Sequence, residues 1–294
     1  MEDLIPARLI GLQGCLSRPL WGGMGVLAVF CGALASNQLQ WNEEGILTLV
    51  LVLLLSGLGW GSIWNLAVGV DWFPPLAEHW PPVRQVSLPS LPYTLPGSPG
   101  GRLARWLGQL VGWWRESFGT THRLALTGLL SAVVVTGVLS LILPNRIRLL
   151  NAAVVALIGI GGAQRLRGTS PLAALALLQV GLGWLAGHLA FAGMNAVSWV
   201  MALSFTLAVL GSLRVGEGLS GGLWLLNGGQ ISIAVLLVAL RQPLAGGLVG
   251  MFLLAQIALQ PSLYFPDGAA CTAFCRRSWP WLMAAMLVAA LVIP

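Results

Sequence analysis

The sequence predicts an all-α, polytopic membrane protein of about nine transmembrane helices, a single membrane domain over 1–294 with its N-terminus cytoplasmic. Three observations predict it. Of 294 residues, 57% are hydrophobic and 8% are charged, and the mean hydropathy is +0.84. A soluble domain carries roughly 25% charged residues, so too little charge is present to coat a soluble protein of this size. A soluble enzyme, a disordered chain and a disulfide scaffold are thereby excluded. The apolar residues also fall in runs of span length, and the few charges gather between the runs.

Nine apolar stretches run at about 20–37, 45–66, 123–143, 147–164, 171–193, 196–213, 221–240, 243–262 and 278–293. Most approach the ~20 residues that cross ~30 Å of hydrocarbon. Continuous runs of this length satisfy their backbone in lipid only as helices. The first 19 residues hold Glu2, Asp3, Arg8 and Arg18 and no compact apolar core, so no cleavable signal peptide is expected.

The formal net charge is +6, and all 15 basic residues are Arg. With the N-terminus inside, nine crossings place twelve Arg on the inner side and only Arg146, Arg148 and Arg241 outside. This positive-inside asymmetry sets an N-in, C-out orientation. Glu43 and Glu44 fall in an outer loop that lacks Arg, as that orientation expects. No Arg cluster is interleaved with aromatics, so the basic excess points to inner loops and not to nucleic acid.

The segment 67–122 is expected to be a long inner loop. Eight of the 17 Pro lie between Pro74 and Pro99, which favours extended, turn-rich chain. A short amphipathic helix follows. Leu103, Trp106, Leu107, Leu110, Val111, Trp113 and Trp114 share one helical face, with Arg102, Arg105, Arg115 and Glu116 available on the other side. A helix lying in the headgroup region fits that pattern, as a membrane anchor or as a docking face.

The 38 Gly suit close helix packing, and Gly57/Gly61, Gly183/Gly187 and Gly246/Gly250 are small-xxx-small pairs within apolar runs. Cys15, Cys31, Cys271 and Cys275 do not form a zinc pattern. Cys271 and Cys275 are expected in a short loop, as unpaired small residues or in a metal or redox role. Many of the 14 Trp cluster near expected inner ends: Trp60, Trp64, Trp72, Trp80, Trp106, Trp113, Trp114, Trp279 and Trp281. An aromatic belt accounts for them, with stacking on a ligand ring the alternative for one or two.

Four strings carry a family resemblance: FCGALASNQLQW (30–41), WLAGHLAF (184–191), SWVMALSFTLAVLG (198–211) and LLAQIALQPSLYFPD (253–267). They resemble the chlorophyll and bacteriochlorophyll synthases of the UbiA prenyltransferase superfamily. The resemblance implies a UbiA-like bundle around a cavity. It also implies transfer of a prenyl group from a diphosphate, with Mg²⁺ held by two Asp-rich motifs. Divalent ions and hard oxygen ligands are needed there to neutralise a diphosphate leaving group in a low-dielectric cavity.

The sequence departs from that pattern at both motifs. With Asn65 on the motif's Asn, the three Asp positions fall on Leu66, Gly69 and Phe73, and Asp71 is out of register. The following loop reads PPLAEHWPPVRQ (74–85). Around GSLRVGEGLSGG (211–222) only Glu217 is acidic. The end of the fourth span reads GGAQRLRG (161–168), where Arg165 and Arg167 are candidates for an anion or a lipid headgroup. Asn65, Asp71 and Glu217 thus read as motif remnants, and no Mg-diphosphate site or catalytic residue is expected.

The expected function is therefore that of a pseudoenzyme. It would bind (bacterio)chlorophyll or a prenyl lipid, as an accessory subunit of a photosynthetic reaction-centre or antenna complex. Membrane lipids and other membrane subunits would be its partners, in the cytoplasmic or a photosynthetic membrane. The alternative is an active, divergent prenyltransferase esterifying (bacterio)chlorophyllide through Asp71 and Glu217. A third possibility is a transporter or lipid-binding protein unrelated to pigment. His188, set inside the fifth apolar run, is the candidate pigment ligand, or else donates to a neighbouring helix carbonyl. His79 and His122 are expected at the interface. Asn65, Gln179, Gln230 and Gln256 are expected as buried amides joining helices.

Overall fold

The computed structural model describes residues 22–70, 72, 98–114, 119–263 and 268–293. Over these residues the chain forms ten helices. They are α1 (Gly22–Leu34), α2 (Glu43–Ala67), α3 (Pro99–Trp113), α4 (Gly119–Ile142), α5 (Asn145–Leu166), α6 (Leu172–Phe191), α7 (Ala196–Gly216), α8 (Gly222–Ala239), α9 (Pro243–Leu259) and α10 (Gly268–Val292). Each of the nine apolar stretches falls on one helix, and the tenth helix, α3, is the amphipathic one. Six helices are long and apolar enough to cross a membrane, namely α2 and α4 to α8, while α1 and α9 are shorter apolar helices. The chain is a helical multi-span membrane protein.

The helix boundaries follow from local chemistry. Asn42 caps α2, its side-chain oxygen accepting from the Gly45 amide at 2.8 Å, and Glu43 and Glu44 complement the positive end of the helix. Asn195 caps α7 in the same way, accepting from the Val197 amide at 3.0 Å. Two helices end on a left-handed glycine, Gly168 (φ 71°) after α5 and Gly218 (φ 69°) after α7. The next amide then reaches back to the helix: Thr169 to the Gln164 carbonyl at 3.0 Å, and Leu219 to the Arg214 carbonyl at 2.8 Å.

Several expectations change. The last helix starts at Gly268, ten residues before the expected 278, and carries Pro280 in its interior. Arg276 and Arg277 broke the apolar run on paper, but Cys271 and Phe274 are buried, so the helix is amphipathic at its start and apolar later. Cys271 and Cys275 therefore lie on this helix and not in a loop, and both are free thiols. α4 begins at Gly119, inside the segment expected as loop, and α3 begins at Pro99 instead of Leu103. Residues 73–97 of that segment lie outside the described residues.

Packing centres on α1 and α6. These two run parallel in contact: Gly25 of α1 faces Gln179, and Gly183 of α6 faces Gly25 and Ala28. Further along, a Cβ at Gly187 would overlap the Val29 carbonyl oxygen, and one at Gly32 would overlap that of Trp184. On one side of this pair, α7, α8, α9 and α10 close a four-helix ring, with α7 packed on α8 and on α10. On the other side lie α2, α4 and α5. α4 and α5 expose most of their surface, as lipid-facing helices do, whereas α6 and α7 are mostly enclosed.

The three glycine pairs separate in this arrangement. Gly183 and Gly187 both face α1, and Gly246 faces Ala234 and Val238 of α8, but Gly57 and Gly250 meet nothing within 4 Å. A spacing of four brings two glycines to one face without saying whether a helix covers that face. We expect Gly187→Val to lower the unfolding free energy by at least about 2 kcal/mol, because a side chain there meets main chain that cannot yield. Gly159→Ala, where the added carbon meets nothing within 4 Å, should shift it by less than about 1 kcal/mol. Unfolding in mixed micelles would measure both.

Candidate functional site

Inside the α7–α10 ring polar side chains pair across the helices. Asn227 and Gln230 are three apart on α8, and Gln260, at the cap of α9, follows Gln256 by four, so each pair shares a face. Gln230 Nε2 donates to Gln256 Oε1, and Gln256 Nε2 donates to the Ser278 carbonyl of α10 at 3.0 Å. Gln260 Nε2 donates to Asn227 Oδ1 at 3.0 Å. On α10, Cys275, Ser278 and Trp279 occupy one face. Trp279 Nε1 donates to Ser212 Oγ of α7 at 2.8 Å, and the Cys275 thiol lies 3.3 Å from the Ser212 carbonyl.

Both Gln230 and Gln256 are fully buried, and Gln230 Oε1 has no donor among the described residues. This set is neutral. It can join helices, or bind a group that donates a hydrogen bond, but it has no carboxylate with which to hold a hard divalent cation.

A second set links α2, α4 and α5. Trp60 Nε1 donates to Asn151 Oδ1 at 2.8 Å, and Asn151 Nδ2 donates to Ser140 Oγ at 2.7 Å. Arg148 Nε donates to the Ser140 carbonyl at 3.2 Å. Trp60 ends a single widened turn, Leu55–Trp60, in which the backbone bonds skip five residues. Such turns often mark functional sites. The turn seats Gly59 directly against the Thr136 hydroxyl of α4. Leu66 of the same stripe meets Gly128, so Ser62 between them lies on the α2–α4 seam. The buried hydroxyls of Ser62 and Thr136 have no hydrogen-bond partner among the described residues. A matching turn, Leu177–Gly181, seats Gly181 against the Thr206 hydroxyl.

His188 sits three residues before the end of α6 and not at its middle. Its Nε2 is 3.1 Å from the Gly193 carbonyl, and the ring also lies against the Gly32 backbone. A carbonyl oxygen only accepts, so Nε2 carries the proton and Nδ1 is the lone-pair nitrogen. Nδ1 is itself buried.

The remaining candidates gather at the opposite end of the bundle. Arg165 and Arg167 are exposed at the end of α5, and Glu217 is exposed where α7 stops. Trp64 packs its ring on Gly161 of α5, one turn before Arg165, so half-buried Asn65 shares that end. Asp71 and His79 lie outside the described residues. His122 is buried and not at a wet interface, with its ring centroid 5.3 Å from that of Trp72. Gln179 is buried as expected. Among the described residues no three of His, Cys, Asp and Glu come together.

The tryptophans divide. Trp106, Trp114 and Trp281 are exposed as in a belt, but Trp60, Trp64 and Trp279 are buried and serve helix seams. Sequence reasoning missed Asn151, Ser140 and Ser212. Their only sequence signal is a small polar residue within an apolar run, which is too common to single out.

These features define a class, the helical multi-span membrane proteins. No protein-family model, curated protein or solved structure matches this chain. Two outcomes are expected from the polar sets. A double-mutant cycle on Trp60→Phe and Asn151→Ala should give a coupling of about 0.6 kcal/mol, the usual worth of an interhelical hydrogen bond in lipid. Gln256→Leu should cost about 1–3 kcal/mol by leaving the Gln230 amide and its neighbours unpaired. Unfolding in micelles reads both.

Proposed function

We propose that this chain is a non-catalytic membrane protein with a UbiA-like bundle. It binds an apolar lipid, a pigment or a prenyl chain, as an accessory subunit of a larger membrane complex. On the strength of the sequence resemblance, the complex is photosynthetic and the pigment is (bacterio)chlorophyll.

One observation carries the non-catalytic half. At the end of α2, two positions that the resemblance assigns to Asp ligands hold Leu66, which packs on Gly128, and Gly69. A Cβ at Gly69 would overlap the Asn65 carbonyl oxygen, so that turn has no room for a carboxylate side chain. At the end of α7, Glu217 points to solvent without a second acidic residue among its described neighbours. Arg165 and Arg167 remain available there for a lipid phosphate. The binding half is supported by the broad lipid-facing surfaces of α4 and α5 and by the aromatic seam at Trp60 and Trp64. His188 Nε2 is engaged by the Gly193 carbonyl, so this reading relies on apolar contact and not on that imidazole.

Purification in mild detergent tests the binding half. The protein should elute with a pigment or prenyl lipid, visible by absorption or mass spectrometry, and with photosynthetic subunits. Elution with neither refutes it. The catalytic alternative is tested with purified protein, Mg²⁺, chlorophyllide and geranylgeranyl or phytyl diphosphate. No turnover is expected, and turnover abolished by Asp71→Ala would restore an enzyme.

A further inference from the structure

We infer that α3 is a docking surface for the anionic headgroups of the bilayer that holds the bundle, and that docking there stabilises its helix. Four features carry this. The first is an uncovered apolar face: Leu103 is 58% exposed, Trp106 50% and Trp114 48%, and Leu107, Leu110 and Val111 continue the same stripe. With 3.6 residues per turn these six fall within about half of the helix circumference, the geometry of a helix half-sunk in an interface.

The second feature is charge. Residues 98–114 contain Arg102 and Arg105 and no acidic residue, and Arg102 is exposed. A cationic helix lying on its apolar side matches an anionic leaflet, where each Arg near the surface strengthens binding by about fivefold.

The third is the tether. Only five residues, 114–118, separate the end of α3 from α4, whose apolar span begins by His122. Six fully extended steps reach about 21 Å, so α3 stays at the bilayer surface and the lipid headgroups are its standing neighbours.

The fourth is intrinsic weakness. The helix has only 15 residues and four are glycine: Gly100, Gly101, Gly108 and Gly112. Glycine is the poorest helix former after proline, and isolated helices of this length are marginal in water even when rich in alanine. Ser98 caps the helix, accepting from the Gly101 amide at 3.0 Å, but this cap does not offset four glycines. The glycines sit mainly on the side away from the apolar stripe, where Gly101 and Gly108 are buried, so the stripe is the face left to gain from burial in the interface. Docking of that face therefore adds to the stability of the helix.

This inference does not rest on the proposed ligand. Hydrogen exchange of the full chain tests it, in nanodiscs of phosphatidylcholine alone and in nanodiscs rich in phosphatidylglycerol. Exchange over 99–113 should be at least about fivefold slower in the anionic discs. Raising the salt concentration on the same unaltered sample should erase that difference, because screening shortens the reach of the surface potential. Arg102→Glu should shrink it by at least about fivefold, with exchange in α6 and α7 unchanged as the check on folding. Equal exchange in the two lipids overturns the inference, as does a difference that persists at high salt. Should Arg102→Glu fail to assemble, the salt series on the unaltered chain decides alone.

Discussion

Apolar helices in lipid gain little by leaving lipid contacts for one another, so association depends on how closely their backbones approach. In this chain that constraint is met along the parallel seam of α1 and α6. Gly25, Gly32, Gly183 and Gly187 let main chain lie against main chain there. The seam also places the rest. The α7–α10 ring packs on one side of it, and α2, α4 and α5 on the other. On the far side of α6 the Trp184 ring donates to Ser198 of α7 and stacks on Phe205, 5.5 Å away between centroids.

A second constraint is the cost of an unpaired polar group in a low-dielectric interior. The chain meets it with two local networks, one inside the ring and one between α2, α4 and α5. Each joins at least three helices, mainly through neutral amides, hydroxyls and indoles, with Arg148 donating to the Ser140 carbonyl in the second. Neutral groups hydrogen-bond without the desolvation cost of charges.

Composition and run length made the fold class legible, since nine apolar runs with almost no charge admit few other structures in lipid. Single residues were read less well. His188 stood out because it is a lone titratable group in an apolar run, yet run position says nothing about whether a neighbouring helix seals the ring. Trp60 and Trp279 looked like belt residues because both sit near span ends, but the indole N–H of each meets a partner on another helix. The start of α10 was misplaced because Arg276 and Arg277 interrupt the hydropathy, whereas helix continuity depends on backbone bonding and on Cys271 and Phe274 finding a buried face.

What the sequence determined by itself was local and additive: the number of apolar helices and the amphipathic stripe of α3. Each depends on residues within a few positions of one another, so periodicity and side-chain chemistry suffice. Only the tertiary structure decided which glycines touch a neighbour, which amides meet, and that His188 and the Arg165–Arg167 pair lie at opposite ends. Those outcomes depend on how whole helices are rotated and paired. In a uniformly apolar sequence almost every face is equally greasy, so no pattern announces the choice.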